Sequence, residues 1–280
     1  MSLFKERQYL RIRVDREADD SLWMKCKACG ELVFKRRVRE NNNVCPSCGE
    51  YFFLTAAERI DSLVDPGSFE DLTERIVTDD PLAFVDSQPY RERLREAQEK
   101  TSLSDAIVIG RGTIEGIPLI LGVMDFRFIG GSMGSVMGEH ICRAMEAAMT
   151  ERRAFVLVSS SGGARIQEGM FSLLQMAKTV TVRRRLAEAG LPFVSVMTYP
   201  TSGGVQASIA SLGDILIAEK GALIGFAGRR VIQQTIAQEL PAHFQTETFA
   251  LERGQIDRVV RREDLRAELA LALGFFAGVR

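Results

Sequence analysis

The 280-residue chain is 46% hydrophobic and carries 36 basic against 37 acidic residues, a formal charge of −1. Apolar content of that size supports a substantial core and excludes a disordered chain, and the even balance excludes a globally cationic nucleic-acid binder. Neither the charged start MSLFKERQYLRIRVDREADD nor any later stretch offers the apolar run of a secretion signal or a membrane span, so a soluble cytoplasmic protein without a membrane partner is expected.

Residues 1–22 read as a charged N-terminal segment, and residues 23–54 as a small separate unit. Cys26, Cys29, Cys45 and Cys48 follow the pattern C-x2-C-x15-C-x2-C, with Gly30 and Gly49 each just after the second cysteine of a pair. Two such tight turns point four thiolates at one tetrahedral Zn2+, a closed structural site with no open position for chemistry. Iron in a rubredoxin-like site uses similar knuckles, but zinc, one per chain, is the expected ion. Between the knuckles FKRRVR puts four basic residues on a loop, so the ribbon is also a candidate nucleic-acid module. Cys142 stands alone in a helical pattern and reads as a small core residue.

Residues 55–105 read as a helical connector. Thr55 with Glu58 makes a capping box ahead of AAERIDSLVD, and YRERLREAQEK reads as a solvated helix. Neither stretch offers a cluster of reactive groups. From 106 to 280 apolar strands alternate with helices: a hairpin turning at Glu115-Gly116, a helix over 134–152, a strand over 154–159 and a helix over 166–188. That last helix carries Met170, Leu173, Leu174, Ala177 and Val180 on one face, and its methionines read as core filler. The strand PFVSVMT, the helix VQASIASLG, the strands DILIAE and ALIGF and the helix RRVIQQTIAQEL follow.

No phosphate-binding G-x-x-x-x-G-K-[ST] loop occurs. GGSMG at 130–134 matches the nucleophile elbow G-x-S-x-G, and a hydrolase using Ser132 with Asp214 and His243 is the alternative reading; the missing sheet strands ahead of the elbow speak against it. Only two histidines exist, His140 and His243, and no catalytic carboxylate pair stands out. Glycine pairs, by contrast, recur at strand-to-helix junctions: Gly130-Gly131, Gly162-Gly163 and Gly203-Gly204. Backbone N–H groups at such junctions hold an oxyanion without any ionisable side chain, which suits enolate or tetrahedral-oxyanion chemistry on a thioester.

The segments DFRFIGGSMGSVMGE, SSSGGARIQEGMFSLLQMAK, YPTSGGVQASIASLGDILIAE and ALIGFAGRRVIQQT, behind a four-cysteine ribbon, resemble the beta-subunit family of bacterial and plastid acetyl-CoA carboxylase carboxyltransferases over residues 23–262. Two positions depart from that family: Tyr199 where Asp or His precedes Pro-Thr, and Arg229 where Pro is usual. The resemblance implies an α/β, crotonase-like (ClpP/crotonase) spiral of ββα units over 106–280. It also implies transfer of a carboxyl group from biotin to acetyl-CoA, giving malonyl-CoA for fatty acid synthesis. In that family carboxybiotin releases CO2 in the site and the ureido nitrogen takes the methyl proton, in keeping with a chain that shows no base.

Carried over by position, Gly203 and Gly204 are the expected catalytic pair holding the thioester oxygen. Gly162, Gly163, Ala164 and Arg165 match the loop on the CoA side of the cleft, and Gly130, Gly131, Ser132 and Gly134 are expected to shape the same cleft. Arg165 is left with two roles, phosphate partner or structural salt bridge. The family's other oxyanion hole, for biotin, belongs to an alpha subunit. The implied partners are that alpha subunit in an α2β2 heterotetramer, biotin carboxyl carrier protein and biotin carboxylase, with no full activity from this chain alone. The implied place is the cytoplasm, or the plastid stroma for a plastid chain.

Overall fold

The computed structural model describes residues 22–78, 80–236 and 239–278; all but the last residue of the charged segment expected over 1–22 lies outside them. The chain divides into two compact units between Phe52 and Phe53.

In the first unit, strands β1 (Trp23–Lys25) and β2 (Leu32–Phe34) pair antiparallel with Met24 opposite Val33. The basic run expected on a loop is instead a short helix, α1 (Lys35–Glu40), which turns Val38 inward and leaves Arg36, Arg37 and Arg39 outside. Among the described residues of this unit, Val38, Val33, Cys26 and Cys45 make up the buried apolar core. So small a core does not hold a fold of this size without a further cross-link.

The second unit is a twisted sheet with apolar layers on both faces. Its elements in order are α2 (Ala56–Leu63), β3 (Glu70–Asp71), α3 (Tyr90–Thr101), β4 (Ile107–Ile114), β5 (Ile117–Met124), α4 (Ser135–Glu151), β6 (Ala154–Ser161), α5 (Met170–Glu188) and β7 (Phe193–Ser202). The four-residue α6 (Gly203–Gln206), β8 (Ile215–Glu219), β9 (Ile224–Gly225), α7 (Arg229–Ile236), α8 (Glu247–Glu252), β10 (Arg258–Val260) and α9 (Leu265–Ala277) follow. Spatial order is β10-β8-β7-β6-β5-β4-β3, with β9 pairing parallel to the end of β7; β5, β6, β7, β8 and β10 pair parallel, and β4 pairs antiparallel with both β5 and β3.

The side-chain period of two sorts the strands onto both faces. Ile120, Phe155, Leu157 and Phe193 join the layer under α3 and α4, while Leu119, Leu121, Val156, Val158 and Val194 join the layer under α2 and α9. Each fully buried side chain of this kind contributes about 1.5–3 kcal/mol. The segment expected as a helical connector supplies three elements of this fold, since β3 pairs with β4 and α2 and α3 each close one layer.

Two helices are shorter than their patterns. The run 166–188 begins as a single 3-10 turn over Ile166–Glu168, and regular helix starts only at Met170. VQASIASLG forms α6 and a separate 3-10 turn, Ile209–Ser211. The methionine face of α5 is also not core. Met170 is 65% and Leu174 56% exposed, and the inward positions are Ser172, Gln175, Thr179, Val182 and Leu186. Periodicity locates an apolar stripe but does not say whether this chain or another covers it.

The Thr55–Glu58 capping box is present in both directions. At the other end of α2, Asp65 accepts hydrogen bonds from the Thr113 hydroxyl, the N–H groups of Glu115 and Gly116, and Arg266, tying the helix to the β4–β5 turn. The Thr113 hydroxyl first, then the Gly116 N–H, hold the carboxyl down at about 2. A folded value below the unfolded one, about 3.9, means stability that is present above pH 4 and lost as pH falls from about 4 to about 2. Asp65→Asn is therefore expected to lower the melting temperature at pH 7 and to flatten its fall across that acid window.

Candidate functional site

The three glycine junctions of the sequence come together at the C-terminal ends of the parallel strands β6 and β7, where ligand crevices form in open α/β sheets. Between these strands the pairing shifts, with Ser159 opposite Met197 but Ser161 opposite Thr201, so β7 reaches further before it turns into α6. The Gly162 N–H donates to the Gly130 carbonyl at 2.9 Å, and Met133 and Ala164 form a parallel bridge through Met133 N–H to Gly163 carbonyl (2.8 Å) and Arg165 N–H to Met133 carbonyl (2.9 Å).

Close backbone approach explains the residue type at these turns. A Cβ on Gly131 would lie 2.1 Å from the Ser160 carbonyl oxygen, and one on Gly134 2.3 Å from a Glu168 carboxylate oxygen. At Gly203, φ is +58°, and a Cβ would meet the Gly163 Cα at 2.9 Å. That position combines a left-handed conformation with no room for a side chain.

A backbone hydrogen-bond account then separates the glycines that hold the loops from the groups left to act. The Gly203 N–H donates to the Phe226 carbonyl at 3.1 Å, and the Gly163 N–H to the Ser161 hydroxyl at 3.0 Å. Among the described residues no acceptor is found for the N–H groups of Ala164 and Gly204. These two lie side by side: a Cβ on Gly204 would be 3.5 Å from Ala164 N and 3.3 Å from its Cβ. Gly204 stands second in α6, where helix N–H groups have no intrahelical partner.

Arg165 is 1% exposed, and its guanidinium is engaged within the protein. Nη1 and Nη2 fork onto Asp105 at 2.8 Å each, Nη2 donates to the Ser132 carbonyl at 2.7 Å, and Nη1 reaches the Tyr90 hydroxyl at 3.2 Å. Burial works against this charge, and the Asp105 carboxylate outweighs it, so the guanidinium is held charged more firmly than in water. Of the two roles left open for Arg165, the geometry is that of a buried salt bridge. Glu168 completes the group: it accepts from Tyr90 at 2.7 Å and from the Ser135 N–H and hydroxyl at 2.6 Å each. Burial pushes its carboxyl up, but the Ser135 donors prevail and hold it below the usual range. Tyr90, Asp105 and Glu168 were not among the sequence candidates.

The hydrolase constellation does not assemble. The Ser132 hydroxyl donates to the Ile129 carbonyl at 2.8 Å and accepts from Arg165 Nε at 3.2 Å. Asp214 pairs with Arg183 at 2.6 Å and caps the Phe193 N–H at 2.8 Å, while His243 packs on Phe249 with Nε2 3.9 Å from Glu252.

In the first unit the sulfurs of Cys26, Cys29, Cys45 and Cys48 all lie within 4.8 Å of one another, with Cys26–Cys48 at 3.7 Å and Cys29–Cys45 at 4.0 Å. Four zinc–sulfur bonds of about 2.3 Å in a tetrahedron set an edge of about 3.8 Å. The donor set therefore fits one tetrahedral ion as it stands.

Comparison with known proteins agrees with both units. The model of the carboxyl transferase domain matches residues 53–273, and that of the acetyl-CoA carboxylase zinc finger domain matches residues 23–48. The acetyl-coenzyme A carboxylase carboxyl transferase subunit beta of Synechococcus sp. (strain JA-3-3Ab) is 51% identical over 270 residues, 96% of this chain and 84% of that protein. Its counterpart in Thermus thermophilus is 53% identical over 252 residues, 90% of this chain and 88% of that one. Among solved structures, the transcarboxylase 12S core with methylmalonyl-coenzyme A bound is 28% identical with a TM-score of 0.67. It covers 85% of this chain, which spans only 43% of the transcarboxylase chain. A Pseudomonas malonate decarboxylase heterodimer shares the fold at 24% identity and a TM-score of 0.61, covering 80% of this chain and 86% of that one. The architecture is thus the crotonase-like one expected from sequence. On these grounds the chain belongs to the carboxyl transferase family, among the beta subunits of acetyl-coenzyme A carboxylase carboxyl transferase.

Proposed function

We propose that the chain is the acetyl-CoA-binding half of a biotin-dependent carboxyltransferase, and that the N–H groups of Ala164 and Gly204 form its oxyanion hole. The observation that carries this is their pairing: two backbone donors that find no acceptor among the described residues, on adjacent turns. Of the sequence-derived pair, Gly204 keeps the role of donor. Gly203 becomes the residue that lets the two turns touch, and Gly162 and Gly163 the fixed wall opposite it. Gly130, Gly131, Ser132 and Gly134 shape the same wall, and Arg165 braces it.

When the acetyl methyl group loses its proton, negative charge collects on the thioester oxygen, and preorganised N–H donors stabilise it without reorganisation at that moment. The enolate carbon would then form its new C–C bond to CO2, released as the N–C bond to the biotin ureido nitrogen breaks, and that nitrogen, keeping the electron pair, would take the methyl proton. Biotin, brought by a carrier protein and charged by a biotin carboxylase, supplies the carboxyl group and a nitrogen able to accept the proton. The reading places the chain in the cytoplasm, or the plastid stroma; among the described residues no helix is long and apolar enough to cross a membrane.

An alpha subunit supplies the biotin side, and we place it over the uncovered face of α5. Met170, Leu173 and Leu174 are exposed on it, and Ile166 is exposed on the 3-10 turn just before it, beside the loop that carries Ala164. The group Cys26, Cys29, Cys45 and Cys48 would hold a structural zinc, and the expected assembly is α2β2. With its alpha partner, the protein is expected to turn malonyl-CoA and biocytin into acetyl-CoA, and the chain alone to show no more than a trace of that rate. Full activity of the isolated chain, or none in the complex, contradicts the reading.

A further inference from the structure

We infer that Tyr90, Asp105, Arg165 and Glu168 form a positioning group that aims the Ala164 N–H, an inference that rests on the oxyanion reading above. None of the four touches the substrate in this scheme; they act through the peptide between Gly163 and Arg165.

The four side chains are almost wholly buried, and they gather from three separate segments: α3, the turn before β4, and the loop after β6. Two carboxylates face one guanidinium there. The remaining negative charge is met by the N-terminus of α4, whose first N–H, at Ser135, Glu168 caps from across the loop. A buried set of charges of this kind contributes little stability relative to well-packed apolar residues of the same volume. What it does supply is a fixed direction.

The Ala164 peptide shows where that direction leads. On one edge, the bridge to Met133 holds the carbonyl of Gly163 and the N–H of Arg165. The Arg165 side chain then doubles back and grips the Ser132 carbonyl and hydroxyl at 2.7 and 3.2 Å, so residues 132–133 and 163–165 are stapled by backbone and side chain together. Ser172 adds a third tie, its hydroxyl donating to the Arg165 carbonyl. With one edge of the strand bound to Met133, the Ala164 N–H must face the other, toward Gly204. Asp105 and Tyr90 fix the guanidinium that makes the staple, and Glu168 fixes Tyr90.

The test reads carbonyl recognition separately from overall binding. In the complex with the alpha subunit, the dissociation constants of acetyl-CoA and of S-ethyl-CoA, a thioether without the carbonyl oxygen, are measured for the wild type, Arg165→Lys and Tyr90→Phe. In the wild type acetyl-CoA is expected to bind about tenfold more tightly, the worth of two net hydrogen bonds. In Arg165→Lys, which keeps the charge but loses the fork, that preference is expected to fall to about twofold or less. There kcat should drop about tenfold or more while S-ethyl-CoA binding stays near wild type; the melting temperature falls as well, since the buried Asp105 carboxylate and Ser132 carbonyl each lose a donor. Tyr90→Phe should move the preference and kcat in the same direction by a smaller factor, and it carries the test alone if Arg165→Lys does not fold. Equal weakening of both ligands, or an unchanged preference in the folded variants, overturns the positioning role. A wild type without preference for the carbonyl instead overturns the oxyanion reading beneath it.

Discussion

Replacing Gly204 with valine is expected to lower kcat for carboxyl transfer by about 10²–10³, the size of effect seen when one oxyanion donor is put out of use, because the side chain keeps the thioester oxygen from the two N–H groups while the chain still folds. The separation of activity from folding is what makes the result informative. Gly204 has a backbone conformation open to any residue, and the first atoms an added Cβ meets are the Met176 Sδ at 3.1 Å, the end of a flexible side chain, and Ala164. The added side chain therefore crowds the Ala164 side of the turn, where the thioester oxygen is placed, and Met176 and Ala164 each give by a few tenths of an ångström to admit it.

Gly203→Ala should behave in the opposite way. Its φ of +58° and the backbone atoms of Gly163 and Gly162 at 2.9 and 3.2 Å leave a Cβ no low-energy position. The left-handed conformation alone costs about 1–2 kcal/mol, and the collision forces the two turns apart. A lowered melting temperature together with lost activity is expected there, against lost activity alone at Gly204. Near-wild-type kcat in Gly204→Val, measured alongside circular dichroism, would remove Gly204 from the oxyanion hole.

The division of labour among the glycines explains which parts of the site were legible in the sequence. Glycine pairs after apolar runs mark turns that need close backbone approach, and all three junctions do meet. Which N–H remains without a partner depends on long-range pairs such as Gly203 with Phe226, and no local spacing encodes those. From sequence, Ala164 therefore reads only as part of the wall. Tyr90 left a fainter trace. In the charged stretch YRERLREAQEKT the buried positions are Tyr90, Leu94, Ala97 and Thr101, a helical stripe that turns the tyrosine inward. Its partners Arg165 and Glu168 lie 75 and 78 residues away, so the cluster appears only once the chain has folded. The sheet was easier to read because period-two alternation on β5, β6 and β7 serves both faces. The apolar stripe on α5 was legible as a stripe, but its cover was not, since that depends on a second chain.

Cys26→Ser is expected to abolish bound zinc, from one ion per chain to near none, and to unfold the ribbon while leaving residues 53–280 folded. The asymmetry follows from the two cores. Among its described residues the first unit buries only Cys26, Val33, Val38 and Cys45 as apolar residues, whereas the second has two extensive layers of its own. A ribbon with so little to bury draws its folding free energy from the metal, about 10–16 kcal/mol for four-ligand zinc sites, and a serine hydroxyl is a poor substitute for a thiolate. The chain carries its own reporter for this experiment. Trp23 is its single tryptophan, and its ring packs on Phe34 with centroids 5.4 Å apart at 44% exposure. Loss of the ribbon frees the indole, so its emission should move to that of a fully hydrated tryptophan, in Cys26→Ser as in wild type treated with a chelator. The melting transition of the second unit should stay in place. Zinc retained at one per chain in Cys26→Ser, or tryptophan emission indifferent to chelation, would mean that the four thiolates do not hold the ribbon together.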